Sequence, residues 1–153
     1  MEEEEFGEVV VDTYTLLAIA YDEVGVKARR ILEAIRLGRV RGLIPVTVVY
    51  EYVIHWLRGR IPALKNIDEV ETYLKTYFKI IDLGYQDYVR AAEIKVRGDE
   101  LLRGSRDEKL RYRRLSFVDS TIIAVAIRRK APIVSGDRDL AYVASRYNAA
   151  IIW

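Results

Sequence analysis

The feature that most constrains the fold is the alternation of short apolar runs with longer stretches of helical periodicity. The first run, Glu8 to Val11, is closed by Asp12 and predicts a buried strand. Further extended segments are predicted at residues 41–44, 79–83, 132–135 and 149–153. Helices are predicted at residues 13–21, 27–37, 47–57, 67–77, 88–102 (interrupted at Gly98), 117–129 and 140–147, with a loop or exposed helix end at 104–114. This alternation favours an α/β sandwich around a parallel sheet.

Nothing in the sequence divides the chain into several domains. Its 153 residues suit one domain with its own core. We therefore expect an acidic N-terminal tail over residues 1–7 and a single domain over residues 8–153. No apolar run approaches the roughly 18 to 20 residues that cross a bilayer. The acidic start is also unlike a signal peptide, so we expect a soluble, cytoplasmic protein without membrane partners.

The composition limits the chemistry that is available. The chain has no cysteine and only one histidine, His55, which excludes thiolate catalysis, cysteine zinc sites and histidine-rich metal sites. Catalysis must therefore depend mainly on carboxylates, hydroxyls and basic side chains. Basic residues late in the chain could hold phosphates, although a solvated helix face explains any single run equally well. The candidates for RNA contact are Arg106, Lys109, Arg111, Arg113 and Arg114.

Four acids are predicted to meet at one edge of the sheet, where ligands of open parallel sheets bind. Asp12 closes the first strand, and Asp137 follows the strand at 132–135. Asp119 lies at the start of a helix that leads into that same strand. Glu51 lies near the start of the helix at 47–57, which begins at the same edge.

Each aspartate also has a purely structural interpretation. Asp12 and Asp137 could cap the helices that follow them, and Ser116-x-x-Asp119 has the spacing of a capping box. Glu51 is harder to explain, because its helix is apolar on nearly every face and indicates burial in a core or an interface. A lone carboxylate there costs several kcal/mol unless it is paired with an arginine, protonated or bound to a cation.

A cluster of carboxylates predicts a hard metal ion. Carboxylates packed together raise one another's pKa, and a divalent cation relieves their repulsion. Ligands that are all oxygen suit Mg²⁺ or Mn²⁺ rather than zinc. Such an ion activates water and neutralises charge on a phosphoryl oxygen, which is the chemistry of phosphodiester cleavage.

Four segments resemble the motifs of PIN domains, in order and over essentially the whole chain. They are Val9 to Thr13, Pro45 to Glu51, Leu115 to Ser120 and Ile133 to Leu140. Among single-domain PIN proteins the chain most resembles the VapC-like toxins, which are ribonucleases neutralised by a cognate antitoxin. Two positions depart from the family pattern: Ser135 stands where threonine is common, and Leu140 where an aromatic residue is common.

The resemblance implies a three-layer α/β/α sandwich with a central parallel five-stranded sheet. It also implies a Mg²⁺- or Mn²⁺-dependent endoribonuclease, usually a homodimer, with an antitoxin as partner. Carried over by position, the catalytic metal ligands are Asp12, Glu51, Asp119 and Asp137, and the supporting hydroxyls are Thr13 and Ser135. Asp139 is either an auxiliary ligand or a helix cap.

Several alternatives stay open. The chain could be a PIN nuclease of ribosomal-RNA processing or RNA quality control, or a PIN-like module that binds RNA or protein without cleaving. His55 lies one turn after Glu51 and could act as a general base, although a role in supporting the metal ligands or in plain packing is favoured. Tyr50, Tyr52 and Trp56 could stack on bases, but their helical spacing favours packing.

Overall fold

The strands and helices are taken from a computed structural model that describes residues 6–153. The strands are β1 (Glu8–Val11), β2 (Arg41–Pro45), β3 (Phe78–Ile81), β4 (Ile133–Val134) and β5 (Ile151–Ile152). The helices are α1 (Thr13–Ala20), α2 (Val26–Arg36), α3 (Val46–Leu57), α4 (Ile67–Tyr77), α5 (Tyr85–Arg103), α6 (Glu108–Arg111), α7 (Phe117–Arg129) and α8 (Arg138–Arg146).

The five strands form one sheet in the order β3-β2-β1-β4-β5, and every pairing is parallel. β1 lies at the centre, where Val9, Val10 and Val11 are completely buried. A strand covered on both faces needs apolar side chains on both, which explains an unbroken valine run instead of an alternating pattern. The predicted α/β/α sandwich with a parallel five-stranded sheet is confirmed.

The helix α7 forms the centre of one layer. It packs against α5 and against β1, β2 and β4. Because it is enclosed on nearly every side, Ile122, Ile123 and Val125 are completely buried. Ser116 caps its start by accepting a hydrogen bond from the backbone N–H of Asp119 at 3.0 Å. Lys130 ends it in the left-handed region, with φ of 52°. The two ends of α7 therefore follow from its cap and its terminating residue.

Some elements differ from their predicted bounds. The segment expected to be a loop or helix end contains the short helix α6. The predicted interruption at Gly98 is wrong, because α5 continues through it. A Cβ at that position would lie 3.0 Å from Leu115 and 3.1 Å from Val143, so the glycine permits close helix packing.

The N-terminal segment is described only in part. Residues 1–5 of the expected acidic tail lie outside the described residues. Phe6 packs against the core, and the carbonyl of Gly7 accepts a hydrogen bond from the backbone N–H of Arg41 at 3.1 Å. In the part of the chain that the structure describes, no helix is both long enough and apolar enough to cross a membrane.

Candidate active site

Asp12 is the most firmly held of the four predicted acids. It is buried at the end of β1 and caps α1. Its Oδ1 accepts hydrogen bonds from the backbone N–H of Thr15 at 2.9 Å and from the hydroxyl of Thr15 at 2.7 Å. Burial raises the pKa of Asp12 to about 6, because the hydrogen bonds from Ser135 and Thr15 only partly oppose the loss of hydration. The capping interpretation is thus correct, and it leaves the carboxylate at the sheet edge.

Ser135 connects two of the predicted ligands. Its hydroxyl donates to Oδ2 of Asp12 and accepts from the backbone N–H of Asp137 at 3.0 Å. The hydroxyl is buried just beyond the end of β4, the strand next to β1. Asp12 and Asp137 therefore share a hydrogen-bond partner although 125 positions separate them in the sequence.

Asp137 caps the last helix and still has a carboxylate oxygen to spare. Its Oδ1 accepts from the backbone N–H groups of Asp139 at 2.9 Å and Leu140 at 3.4 Å. Its Oδ2 takes no part in this cap. The side chain is half-buried. A structural cap and a metal ligand are therefore compatible roles for this residue.

Asp119 experiences the charges of the other three acids. It lies half-buried in the first turn of α7. Loss of hydration, followed by the charges of Asp137, Asp12 and Glu51, raises its pKa to about 8. The charges of the other three acids therefore all act on Asp119, as expected of groups near the same edge of the sheet. The sequence did not show which of them would carry the largest shift.

Glu51 is less buried than its apolar neighbours predicted. The side chain is half-buried, and α3 also exposes Tyr50 at 69% and Leu57 at 71%. The expectation that α3 lies wholly in the core of this chain is wrong, since only one side of the helix is covered; its burial in an interface stays a prediction. Among the described residues Glu51 forms no ion pair with an arginine, and its charge acts on Asp119 and on His55.

The remaining side chains of α3 have contacts of their own. His55 Nδ1 lies 2.6 Å from Nη1 of Arg60, and burial and that positive charge lower the pKa of the imidazole. Tyr52 is buried and stacks on Tyr73 with ring centroids 6.3 Å apart. The indole N–H of Trp56 donates to the carbonyl of Leu64 at 2.9 Å. These contacts support packing for His55, Tyr52 and Trp56, whereas Tyr50 is exposed.

Two threonines of α1 differ in their hydrogen bonding. Thr15 is completely buried, and its hydroxyl lies between Asp12 and the carbonyl of Val134, 2.8 Å from the latter. Thr15 is not among the predicted site residues, although the third position after a capping aspartate is where such a contact forms. Thr13, predicted as a supporting hydroxyl, is buried, and its Oγ1 has no hydrogen-bond partner within residues 6–153. A buried hydroxyl next to Asp12 that lacks a partner suits a site that receives a further polar group.

The segment around the site is tightly packed. A Cβ on Gly136 would lie 2.5 Å from the ring of Trp153 and 2.6 Å from the ring of Tyr14. These two rings contact each other edge to face, with centroids 5.4 Å apart. Only glycine fits between Ser135 and Asp137, which holds the loop that bears them against the body of the protein.

Asp139 has a role that neither sequence interpretation included. It is buried, and its Oδ2 accepts from Nε of Arg113 at 2.8 Å. The cap of α8 belongs to Asp137 instead. Arg113, one of the predicted RNA contacts, is thus an ion-pair partner as well. Arg111 donates to backbone carbonyls. All five predicted contacts are exposed residues.

The donor set fits a hard divalent cation in its chemistry. Within residues 6–153 no three acidic or histidine side chains are already arranged to hold a metal ion. The other three carboxylates nevertheless raise the pKa of Asp119. Oxygen donors are also available from Ser135, which contacts Asp12, and from Thr13, which follows Asp12 in the chain. Oxygen donors of this kind match Mg²⁺ or Mn²⁺, and rotation of the half-buried carboxylate side chains would be needed to complete the shell.

Known proteins share this sequence pattern and architecture. The PIN domain family model matches residues 9–146. A search of curated proteins finds no match. Among solved structures, the crystal structure of PAE2754 from Pyrobaculum aerophilum is similar, with a TM-score of 0.55 and 18% sequence identity over 94% of this chain and 82% of that chain. At that identity the likeness concerns the fold alone. The family match spans all four acids, so the chain belongs to the PIN domain family, whose members are generally nucleases that use divalent metal ions.

Proposed function

We propose that the protein is an endoribonuclease that depends on Mg²⁺ or Mn²⁺ held by Asp12, Glu51, Asp119 and Asp137. The observation that carries the proposal is the hydroxyl of Ser135, which contacts Asp12 and the backbone of Asp137 at once. This hydroxyl links the ends of the two neighbouring strands β1 and β4, which Asp12 and Asp137 follow. The effect of three carboxylates on the pKa of Asp119 supports the same convergence.

Each residue of the site has a separable task. Thr15 and Ser135 orient the Asp12 carboxylate through hydrogen bonds. Asp137 is held by its helix cap and offers Oδ2. When bound, the metal ion would supply a Lewis acid that polarises water and offsets charge on the scissile phosphate. Burial of Asp12 excludes bulk water from one side of the site and strengthens its interaction with a cation.

The toxin of a toxin–antitoxin pair is the biological role that we propose. The support is the resemblance of the four motifs to VapC-like toxins, together with the single-domain size. An antitoxin partner, a homodimer and action on RNA in the cytoplasm belong to this proposal. Growth arrest on expression, relieved by a protein encoded beside it, would support the toxin role. Normal growth together with a defect in ribosomal-RNA maturation on deletion would instead favour an RNA-processing nuclease.

Cleavage of a mixed RNA substrate tests the nuclease itself. We expect fragments with Mg²⁺ or Mn²⁺ and none with EDTA, which would also reject the non-cleaving module. Asp12→Asn and Asp119→Asn should each reduce the rate by roughly 100-fold or more, because a lost carboxylate weakens the metal site. Asp68→Asn, on the exposed first turn of α4, is the matched control and should cleave like the wild type. Full activity in both site variants would reject the assigned ligands.

A further inference from the structure

A cleft lies between the segment around α6 and one side of α8, the helix that Asp137 caps. Its volume is about 710 Å³. Its walls include Arg106, Asp107 and Leu110 from the first segment, and Arg138, Tyr142 and Arg146 from α8. We call it the α6–α8 cleft.

One face of α8 lines the cleft along its length. Arg138, Tyr142 and Arg146 follow one another at intervals of four residues, so they project from the same side of the helix. Leu140 and Val143, on the other side, are completely buried in the core. With a rise of about 1.5 Å per residue, the two arginines are roughly 12 Å apart along the helix axis.

Arg146 is oriented before any ligand arrives. Its guanidinium carbon lies 4.4 Å from the centroid of the Tyr142 ring, a cation–π contact. Its Nη1 also donates to the hydroxyl of Ser145 at 3.2 Å. An arginine held in this way loses less conformational freedom when it binds an anion.

The opposite wall is a well-bonded turn. Arg111 donates through Nε to the carbonyl of Ser105 at 2.9 Å and through Nη2 to the carbonyl of Arg106 at 3.3 Å. The hydroxyl of Ser105 accepts from the backbone N–H of Asp107 at 3.1 Å. Arg111 therefore shapes the turn, while the side chain of Arg106 is exposed on it.

The charge of the cleft is positive. Its lining holds three arginines and one carboxylate, that of Asp107, which pairs with Arg138. Arg106 and Arg146 thus exceed the negative charge that is present. Guanidinium groups match the oxygens of a phosphate with paired hydrogen bonds.

The position of the cleft indicates which phosphates it would bind. Arg138 follows Asp137 directly in the chain, so the end of the cleft that Arg138 forms adjoins a proposed metal ligand. We propose that the α6–α8 cleft binds the backbone phosphates of a single RNA strand next to the bond that is cut, with Arg106 and Arg146 as contacts. Tyr142 is a positioning residue that acts through Arg146. The proposal rests on the nuclease function proposed above.

Binding of a labelled single-stranded RNA oligonucleotide, followed by fluorescence anisotropy in EDTA from 50 to 200 mM salt, tests the cleft without cleavage. We expect Arg146→Gln to weaken binding about five- to tenfold and to reduce the slope of log affinity against log salt by about 0.7. Arg39→Gln is the matched control, because Arg39 is exposed before β2, away from the cleft. It should bind like the wild type.

Variants of Tyr142 test the positioning role. Tyr142→Phe keeps the ring under the guanidinium and should retain wild-type affinity and salt slope. Tyr142→Leu keeps an apolar side chain but loses the ring, so its salt slope should approach that of Arg146→Gln. A purely structural role would lower the melting temperature of both variants and leave the salt slope unchanged.

The outcomes separate the cleft from the nuclease function. Equal affinities for Arg146→Gln and Arg39→Gln, or no RNA binding by the wild type at 50 mM salt, would overturn the proposal that the α6–α8 cleft binds RNA. Binding of a poly-glutamate peptide in preference to RNA would overturn it too, and would indicate an acidic protein partner. Arg146-dependent RNA binding without cleavage in Mn²⁺ would support the cleft and reject the nuclease. RNA cleavage together with RNA binding that does not depend on Arg146 would support the nuclease function and reject RNA binding by the cleft.

Discussion

The two buried threonines of α1 differ in whether their hydroxyl groups form hydrogen bonds. The hydroxyl of Thr15 lies within hydrogen-bond distance of both Asp12 Oδ1 and the carbonyl of Val134. The hydroxyl of Thr13 has no partner in the described part of the chain. Both are covered to nearly the same degree, at 0% and 4% exposure. Their difference therefore lies in polar contacts and not in packing.

Replacing each threonine by valine isolates that difference at almost constant shape. Thr15→Val should lower the free energy of unfolding by about 1–3 kcal/mol in metal-free buffer, because the hydroxyl that lies between the buried acceptors of Asp12 and Val134 is lost. Thr13→Val should change it by less than about 0.5 kcal/mol, or raise it, since its hydroxyl satisfies nothing. Urea unfolding measures both. Equal losses in the two variants would contradict this account.

At the scale of elements, the loop between β4 and α8 depends on a glycine. Gly136→Ala should lower the free energy of unfolding by about 1–3 kcal/mol, because its Cβ has no room beside Trp153 and Tyr14. Gly7→Ala is the control, with nothing within 4 Å of the added Cβ. Because the loop carries Asp137, the first variant should also lose metal-dependent cleavage. A stable, fully active Gly136→Ala protein would show that the loop adjusts freely.

Helices and strands with a clear local sequence pattern could be predicted from the sequence. The valine run of β1 and the apolar period of α7 gave the right element types, and parallel strands place Asp12 and Asp137 at a common edge. The pair of Asp139 and Arg113 could not be predicted, because 26 residues separate them and only tertiary packing brings them together. The continuation of α5 through Gly98 likewise depends on neighbours from other elements.

The apolar composition of a helix does not show whether the helix is buried in the core of its own chain. The side chains of α3 predicted burial, yet the structure covers only one side of it. Hydrophobicity alone does not tell the core of a chain from a surface that meets another molecule. For Glu51 the sequence therefore overestimated burial, and its place among the metal ligands stays a prediction.

For the whole molecule, the acidic cluster links stability to pH. The pKa values of Asp12 and Asp119 are raised from 3.8 to about 6 and about 8, so the folded state binds more protons than the unfolded chain between these values. Their contribution to stability is therefore greatest below about pH 4 and is lost as the pH rises towards 8. Melting temperatures in EDTA from pH 5 to 9 should show this decline, and Asp119→Asn should flatten it.

The same melting experiments with added Mn²⁺ test whether the acidic site binds a divalent cation. Mn²⁺ should raise the melting temperature of the wild type most at pH 8, where the carboxylates are charged, and should raise that of Asp119→Asn much less. Asp68→Asn again serves as the control. An equal response of all three proteins would place the ion elsewhere.

The contact between Ser135 and Asp12 joins residues 123 positions apart. A ribosome has to translate Ser135, 123 residues after Asp12, before this contact can form. A nascent polypeptide that is attached to its own messenger and has not yet reached this residue thus lacks a finished centre. Under the proposed function, the order of translation itself protects the transcript from the enzyme that it encodes.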